Sequence, residues 1–115
     1  MAMNISSRIK TKTLEAKGIR FSLMENEREI ARAYLYIMHN DLHREPFGLL
    51  EDVYVDENYR GSGLGTKLVA RVITAAKEQN CYKLIACSRK SRPKVHQLYE
   101  KLGFELKGYE FRIDL

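Results

Sequence analysis

Apolar residues recur at every second position in the first half of the chain and at every third or fourth in much of the second. A period of two marks a half-buried strand and a period near 3.6 an amphipathic helix. Ile19, Phe21 and Leu23 alternate with Arg20 and Ser22, which predicts a strand, and Arg8 to Leu14 carries a weaker alternation. Glu25-Asn26-Glu27-Arg28 reads as a polar turn. From Glu29 to Met38, Ala31, Ala33, Leu35 and Ile37 share one face and Arg32, Tyr34 and Tyr36 the other. Two such runs across a short turn predict an antiparallel hairpin.

His39 to Pro46 is a polar connection, and Gly48 to Val55 is a further strand. Simple alternation puts Glu51, Val53 and Val55 on one face and Leu50, Asp52 and Tyr54 on the other, so each face carries one carboxylate. Leu64, Leu68, Val69, Val72, Ile73 and Ala76 then fall at helical spacing, with Arg71, Lys77 and Glu78 on the wet side and Asn80 as the stop. Tyr82 to Cys87 is a short apolar strand. Pro93 suits the first turn of a second helix, preceded by Ser91 or Arg92. Val95, Leu98, Tyr99 and Leu102 line that helix, and Gly103 caps its end. Phe104 to Lys107 and Tyr109 to Ile113 are two last strand candidates, separated by Gly108. The order predicts an α/β (α+β) fold: a mixed, mostly antiparallel central sheet with one parallel strand–helix–strand unit and helices packed on it.

Composition narrows the function classes. A length of 115 residues fits one domain, 1–115, with a core that needs no staples. No apolar run approaches the roughly 18 residues of a membrane span, and Met1 to Lys10 lacks the apolar stretch of a secretory signal, so a cytoplasmic address is expected. Cys81 and Cys87 form neither a disulfide framework nor a metal pair, and the three histidines have no metal-ligand spacing, so no metal is expected. The net charge of +5 favours an anionic partner: nucleic acid, a phosphorylated cofactor or an anionic surface. There is no basic helix and no aromatic-rich RNA motif, which sets nucleic acid aside.

The most informative stretch is Asn58-Tyr59-Arg60-Gly61-Ser62-Gly63-Leu64-Gly65-Thr66-Lys67, which follows a strand and opens a helix. Glycines let a backbone approach a ligand closely. The first amides of a helix lack internal partners and sit at the positive end of its dipole, so the stretch reads as a pyrophosphate cradle. It is not a Walker A loop, because Thr66-Lys67 stands where Gly-Lys is required. It is not a dinucleotide fingerprint either, because the last glycine position counted from Gly61 is Thr66.

Arg60-x-x-Gly63-x-Gly65 resembles the Arg/Gln-x-x-Gly-x-Gly/Ala motif of the GNAT acetyltransferase superfamily. Leu50 to Gly61 looks like that family's fourth strand entering its acetyl-CoA loop, and Leu98-Tyr99-Glu100-Lys101-Leu102-Gly103-Phe104 resembles its Tyr-Glu-x-x-Gly-Phe segment. The resemblance covers roughly Gly48 to Leu115. It implies an acetyl-CoA-dependent N-acetyltransferase whose partners are acetyl-CoA and a primary amine, polyamine-like or on a protein. By this resemblance the fourth strand is bulged, and the main chain of Val53, Tyr54 and Val55 pairs with the pantetheine arm. The amides of Gly61, Ser62, Gly63, Leu64, Gly65 and Thr66 hold the pyrophosphate, and Arg60 adds charge. Tyr99 matches the general acid that protonates the leaving thiolate. A similar Glu-Asp pair in diamine acetyltransferases implies Glu51 as proton acceptor and Asp52 as substrate-binding.

The chain also departs from the family. The segment Leu14 to Gly18 is too short for the helices that usually follow the first strand, so either the acceptor site is open or a partner subunit completes it. Arg92 stands where the family often has Asn, which removes a cofactor hydrogen bond or replaces it with a phosphate contact. Pairing of Tyr109 to Leu115 between copies is the homodimer contact on offer. The competing reading is a module that binds acetyl-CoA without turnover.

Overall fold

A computed structural model describes residues 4–115; the first three residues of the Met1 to Lys10 stretch and of the 1–115 domain lie outside it. Among the described residues the elements run β1 (Lys17–Glu25), β2 (Arg28–Met38), β3 (Phe47–Val55), α1 (Leu64–Glu78), β4 (Leu84–Ala86) and α2 (Pro93–Lys101). They form a sheet in the order β1-β2-β3-β4, antiparallel at its first two pairings and parallel between β3 and β4. This is the mixed sheet with a parallel strand–helix–strand unit that the sequence predicts. None of the helices is long and apolar enough to cross a membrane, among the described residues.

The hairpin closes where the polar turn was expected. Asn26 (φ 49°) and Glu27 (φ 64°) both lie in the left-handed region. Two such residues make a mirror-image turn whose twist matches that of the flanking strands. The alternation of β2 then decides what is buried. Ala31, Ala33, Leu35 and Ile37 face inward, and α1 covers them with Val69, Val72, Ala75 and Ala76. Leu50 joins this cluster from β3, opposite Leu35. A Cβ at Gly48 would come within 3.0 Å of both Leu35 Cδ1 and Leu84 Cδ1, so glycine there lets β4 close against β3. On α2, Pro93 takes the first turn and Arg92 precedes it as the N-cap. Leu98, Tyr99 and Leu102 pack against the margin of the core, and Gly103 (φ 100°) ends the helix.

Three expectations are corrected. Arg8 to Leu14 forms no strand: a 3-10 turn covers Ser6–Arg8 and the following residues are exposed and irregular, with no neighbouring strand to complete a ladder. Phe104 to Lys107 and Tyr109 to Ile113 are likewise unpaired. Phe104 packs on the core, but Leu106, Tyr109, Phe111 and Ile113 are more than four-fifths exposed. Thirdly, β3 does not alternate simply. Tyr34 pairs with Glu51 and Arg32 with Tyr54, so the single residue Ala33 faces both Asp52 and Val53. This bulge puts Asp52 at φ 47° and brings Glu51 and Asp52 together beside one groove, away from α1.

Leu35 is fully buried at the centre of this packing, and Leu106 is not packed at all. Leu35→Ala should lower the unfolding free energy by about 2–5 kcal/mol in a urea titration, while Leu106→Ala should change it by less than ~0.5 kcal/mol. Equal effects would show that the core lies elsewhere.

Candidate active site

The parallel ladder between β3 and β4 is short: Gly48 with Leu84, Leu49 with Ile85, Leu50 with Ala86. Beyond it β3 runs on from Glu51 to Val55 with no strand beside it on that side among the described residues. The bulge explains the divergence, because an extra residue bends its strand and increases the local twist. The result is a gap bordered by the free edge of Val53, Tyr54 and Val55. Ser88, just past the end of β4, carries a buried hydroxyl oxygen with no hydrogen-bond partner.

The glycine stretch stands at one end of this gap. Asp56 begins a 3-10 turn at Glu57–Tyr59, accepting from the Asn58 amide at 3.0 Å. Gly61 and Gly63 both have φ 84°, and Gly63 is the N-cap of α1. Lys67 N–H donates to Gly63 O, but the amides of Gly61 to Thr66 make no backbone bond. Among the described residues these six amides are left without a partner at the start of α1, an arrangement suited to an anion. Beside them lies a groove of about 430 Å³ lined by Val55, Tyr59, Arg60, Gly61, Gly63, Leu64, Gly65, Thr66, Lys94, Val95 and Leu98. Ser62 turns away, its hydroxyl donating to Tyr59 O at 2.7 Å. Arg60 Nε donates to Val55 O at 2.8 Å while its guanidinium stacks 5.6 Å over Tyr54, so it pins the loop as well as bringing charge. Lys94, the second residue of α2, reaches the groove, whereas Arg92 at the N-cap does not line it.

Tyr99 is half-buried, its ring 5.1 Å from that of Phe104. Burial, then charge at Cys87 and Glu51, raises its pKa above the ordinary phenol value. Cys87 feels the same field: a hydrogen bond to Glu110, then burial, then the charges of Glu110 and Glu51 push its thiol up to about 11. Tyr99, Cys87, Glu51 and Glu110 are therefore electrostatic neighbours. Neither Cys87 nor Glu110 was assigned a role from the sequence; the one signal was the position of Cys87 at the end of a short apolar strand next to the bulged one.

On the open face of the sheet, Glu51 and Asp52 border a groove of about 630 Å³ with Tyr34, Tyr36, Met38 and Leu49. The two tyrosine rings are parallel, 6.2 Å apart. Asp52 lies 3.6 Å from Arg32 Nε, and Arg32 stacks 4.7 Å over Tyr54. Arg20 is held by Glu29, whose carboxyl is kept below its usual range by hydrogen bonds from Ser22 and Arg20. Tyr34 and Tyr36 escaped the sequence reading because their alternation marked them only as the wet face of a strand.

The profile of the acetyltransferase (GNAT) family matches residues 6–104. A glucosamine 6-phosphate N-acetyltransferase of Trypanosoma brucei brucei is 44% identical over 69 residues, which are 59% of this chain and 44% of that protein. Human N-alpha-acetyltransferase 30 is 35% identical over 66 residues, 56% of this chain and 18% of that one. The chain thus spans less than half the length of these curated relatives. A crystal structure of a Trypanosoma brucei acetyltransferase superposes with a TM-score of 0.73 at 32% identity, covering 87% of this chain and 69% of that one. The gap between β3 and β4, the glycine cradle and the match over residues 6–104 converge, and the chain belongs to the acetyltransferase (GNAT) family.

Proposed function

We propose that the protein is an acetyl-CoA-dependent N-acetyltransferase acting on a primary amine, carried by a small polyamine-like molecule or by a lysine or N-terminus of a protein. The observation that carries this reading is the gap between β3 and β4, with six unpartnered amides at one end and Tyr99, Cys87 and Glu51 grouped beside it. The relatives' names, both N-acetyltransferases, support it. The residues present fit acetyl-CoA. A Cβ added at Gly61 or Gly63 would meet nothing within 4 Å, so the main chain there is open to a ligand. The free edge of Val53 to Val55 and the orphaned Ser88 hydroxyl offer polar groups to an amide-bearing arm.

Acetyl-CoA, when bound, supplies an acetyl group activated as a thioester. The amides of Gly61 to Thr66 hold the pyrophosphate, and Arg60 and Lys94 balance its charge. Tyr99 keeps its proton through neutral pH, because burial raises its pKa, and so has one to donate to a departing thiolate. Glu51 takes the proton that the amine must lose before it attacks, and Asp52 attracts the cationic acceptor along the open face. The reading keeps the cytoplasmic address, and the apolar edge of Tyr109, Phe111 and Ile113 suits pairing between two copies.

Calorimetric titration with acetyl-CoA, together with coenzyme A release in the presence of a panel of amines, tests the proposal. Binding with release for one amine class is expected. Binding without release across the panel would favour a sensing module, and no binding would remove the acetyl-CoA reading altogether.

Tyr99→Phe should lower kcat at least about a hundredfold while the Kd for acetyl-CoA stays within ~2-fold, since the phenol acts on the leaving group and not on cofactor binding. The sign of the pH effect follows from the raised pKa: the acid form is lost only above the usual phenol range, so the alkaline limb of the wild-type kcat profile should lie there and vanish in the variant. Glu51→Gln should depress kcat, and Asp52→Asn should chiefly raise the KM for the amine, by about tenfold if one charge contact is lost. The reverse split in steady-state kinetics would exchange the two roles.

A further inference from the structure

The tip of the β1–β2 hairpin touches the segment that leads into the glycine cradle. Glu25 and Arg28 pair across the turn. The Tyr59 hydroxyl donates to the Glu25 carboxylate, and the Arg28 guanidinium donates to Asp56 Oδ2. Asp56 is a junction: its amide donates to Ile30 O at 2.7 Å, Oδ1 accepts from Asn58 N, and Oδ2 takes Arg28. Tyr59 in turn lines the 430 Å³ groove and offers its carbonyl to Ser62, two residues before the start of α1. The turn that presents Glu25 holds two left-handed residues, one of them Glu27, which has no glycine-like freedom there.

We propose that Glu25 and Tyr59 are positioning residues for the donor site: their hydrogen bond latches the hairpin tip to the loop and holds the amides of Gly61 to Thr66 in their binding arrangement before the cofactor arrives. This rests on the acetyl-CoA reading above. The physical ground is ordering. A loop of three glycines within five residues loses much conformational entropy when its amides converge on one anion. A contact that fixes the loop beforehand removes that loss from the binding step. Glu25 does not line the groove and touches neither Tyr99 nor the open-face carboxylates, so its influence passes through Tyr59.

Charge gives the proposal a discriminating sign. Coenzyme A is an anion, so removing the negative charge of Glu25 would by itself tighten binding slightly. Loss of the latch would weaken it. Glu25→Gln keeps an acceptor for the Tyr59 hydroxyl and removes only the charge; Glu25→Ala removes both. Calorimetry with coenzyme A on wild type, Glu25→Ala, Glu25→Gln, Tyr59→Phe and the Glu25→Ala/Tyr59→Phe double variant tests the idea. Glu25→Ala and Tyr59→Phe should each raise the Kd by about three- to tenfold; in Glu25→Ala, whose site lies outside the groove, kcat at saturating acetyl-CoA and the thermal midpoint should stay near wild type. Glu25→Gln should bind as wild type or slightly more tightly, and the double variant should be no weaker than either single one. An unchanged or lowered Kd in Glu25→Ala, or additive losses in the double variant, would overturn the latch. A wild type that fails to bind coenzyme A would instead remove the functional reading on which the latch rests.

Discussion

An extra residue in one strand of an antiparallel pair has to be accommodated without a partner. In β3 this falls at Asp52 and Val53, which share the single neighbour Ala33, and Asp52 takes up the excess in the left-handed region. The last parallel pair between β3 and β4, Leu50 with Ala86, lies just before this point. Beyond it the bulged strand bends away, β4 stops, and five residues of β3 keep a free edge. The same bulge turns what alternation would place on opposite faces, Glu51 and Asp52, into a pair beside one groove. One irregularity therefore opens the gap and arms its rim.

The sheet tolerates this because its packing lies on the other side of the constraint. Leu35, Leu50, Val69 and Val72 hold α1 against β2 and β3, and from the splayed edge only the partly buried Val53 packs against them. With its body anchored in the core, α1 presents its N-terminal amides as a fixed feature, and the positive φ of Gly61 and Gly63 turns the chain into them. Electrostatics at the other end of the gap favour protons held rather than lost. Anionic neighbours and partial burial raise both the Tyr99 phenol and the Cys87 thiol, so both are neutral near pH 7. Among these groups Glu51 is the carboxylate whose charge acts on both Tyr99 and Cys87.

What the sequence made legible were the features that depend on local pattern. The inward set of β2, the apolar stripe of α1, Pro93 at the start of α2 and Gly103 at its end each follow from residue type and spacing alone. The glycine cradle was readable because free amides at a helix start need only glycine and position. The failures share a cause. Whether Arg8 to Leu14 or Tyr109 to Ile113 becomes a strand depends on a neighbour to supply the ladder, and alternation within a segment says nothing about that neighbour. The relation of Glu51 to Asp52 depended on a bulge, which shifts the pleat by one residue and leaves no mark in hydropathy. Arg92 was the cation the sequence offered for a phosphate contact, yet the start of α2 at Pro93 brings Lys94 and not Arg92 to the groove.

The division of labour in the site also bears on how it relates to the proteins it resembles. The gap is bordered mostly by main chain: the edge of β3 and the amides before and within α1. Main-chain groups are offered by many sequences, provided that the bulge, the glycines and the helix start survive. Relatives named as a glucosamine 6-phosphate N-acetyltransferase and as N-alpha-acetyltransferase 30 match this chain at 44% and 35% identity. Its open face is the opposite case. There the parallel rings of Tyr34 and Tyr36, the apolar Leu49 and Met38, and the Glu51–Asp52 pair form the groove through side chains alone. Both guanidiniums that reach this face from β1 and β2, Arg20 and Arg32, are already engaged with Glu29 and Asp52. A groove with its nearest cations spent and a carboxylate to spare attracts positive charge.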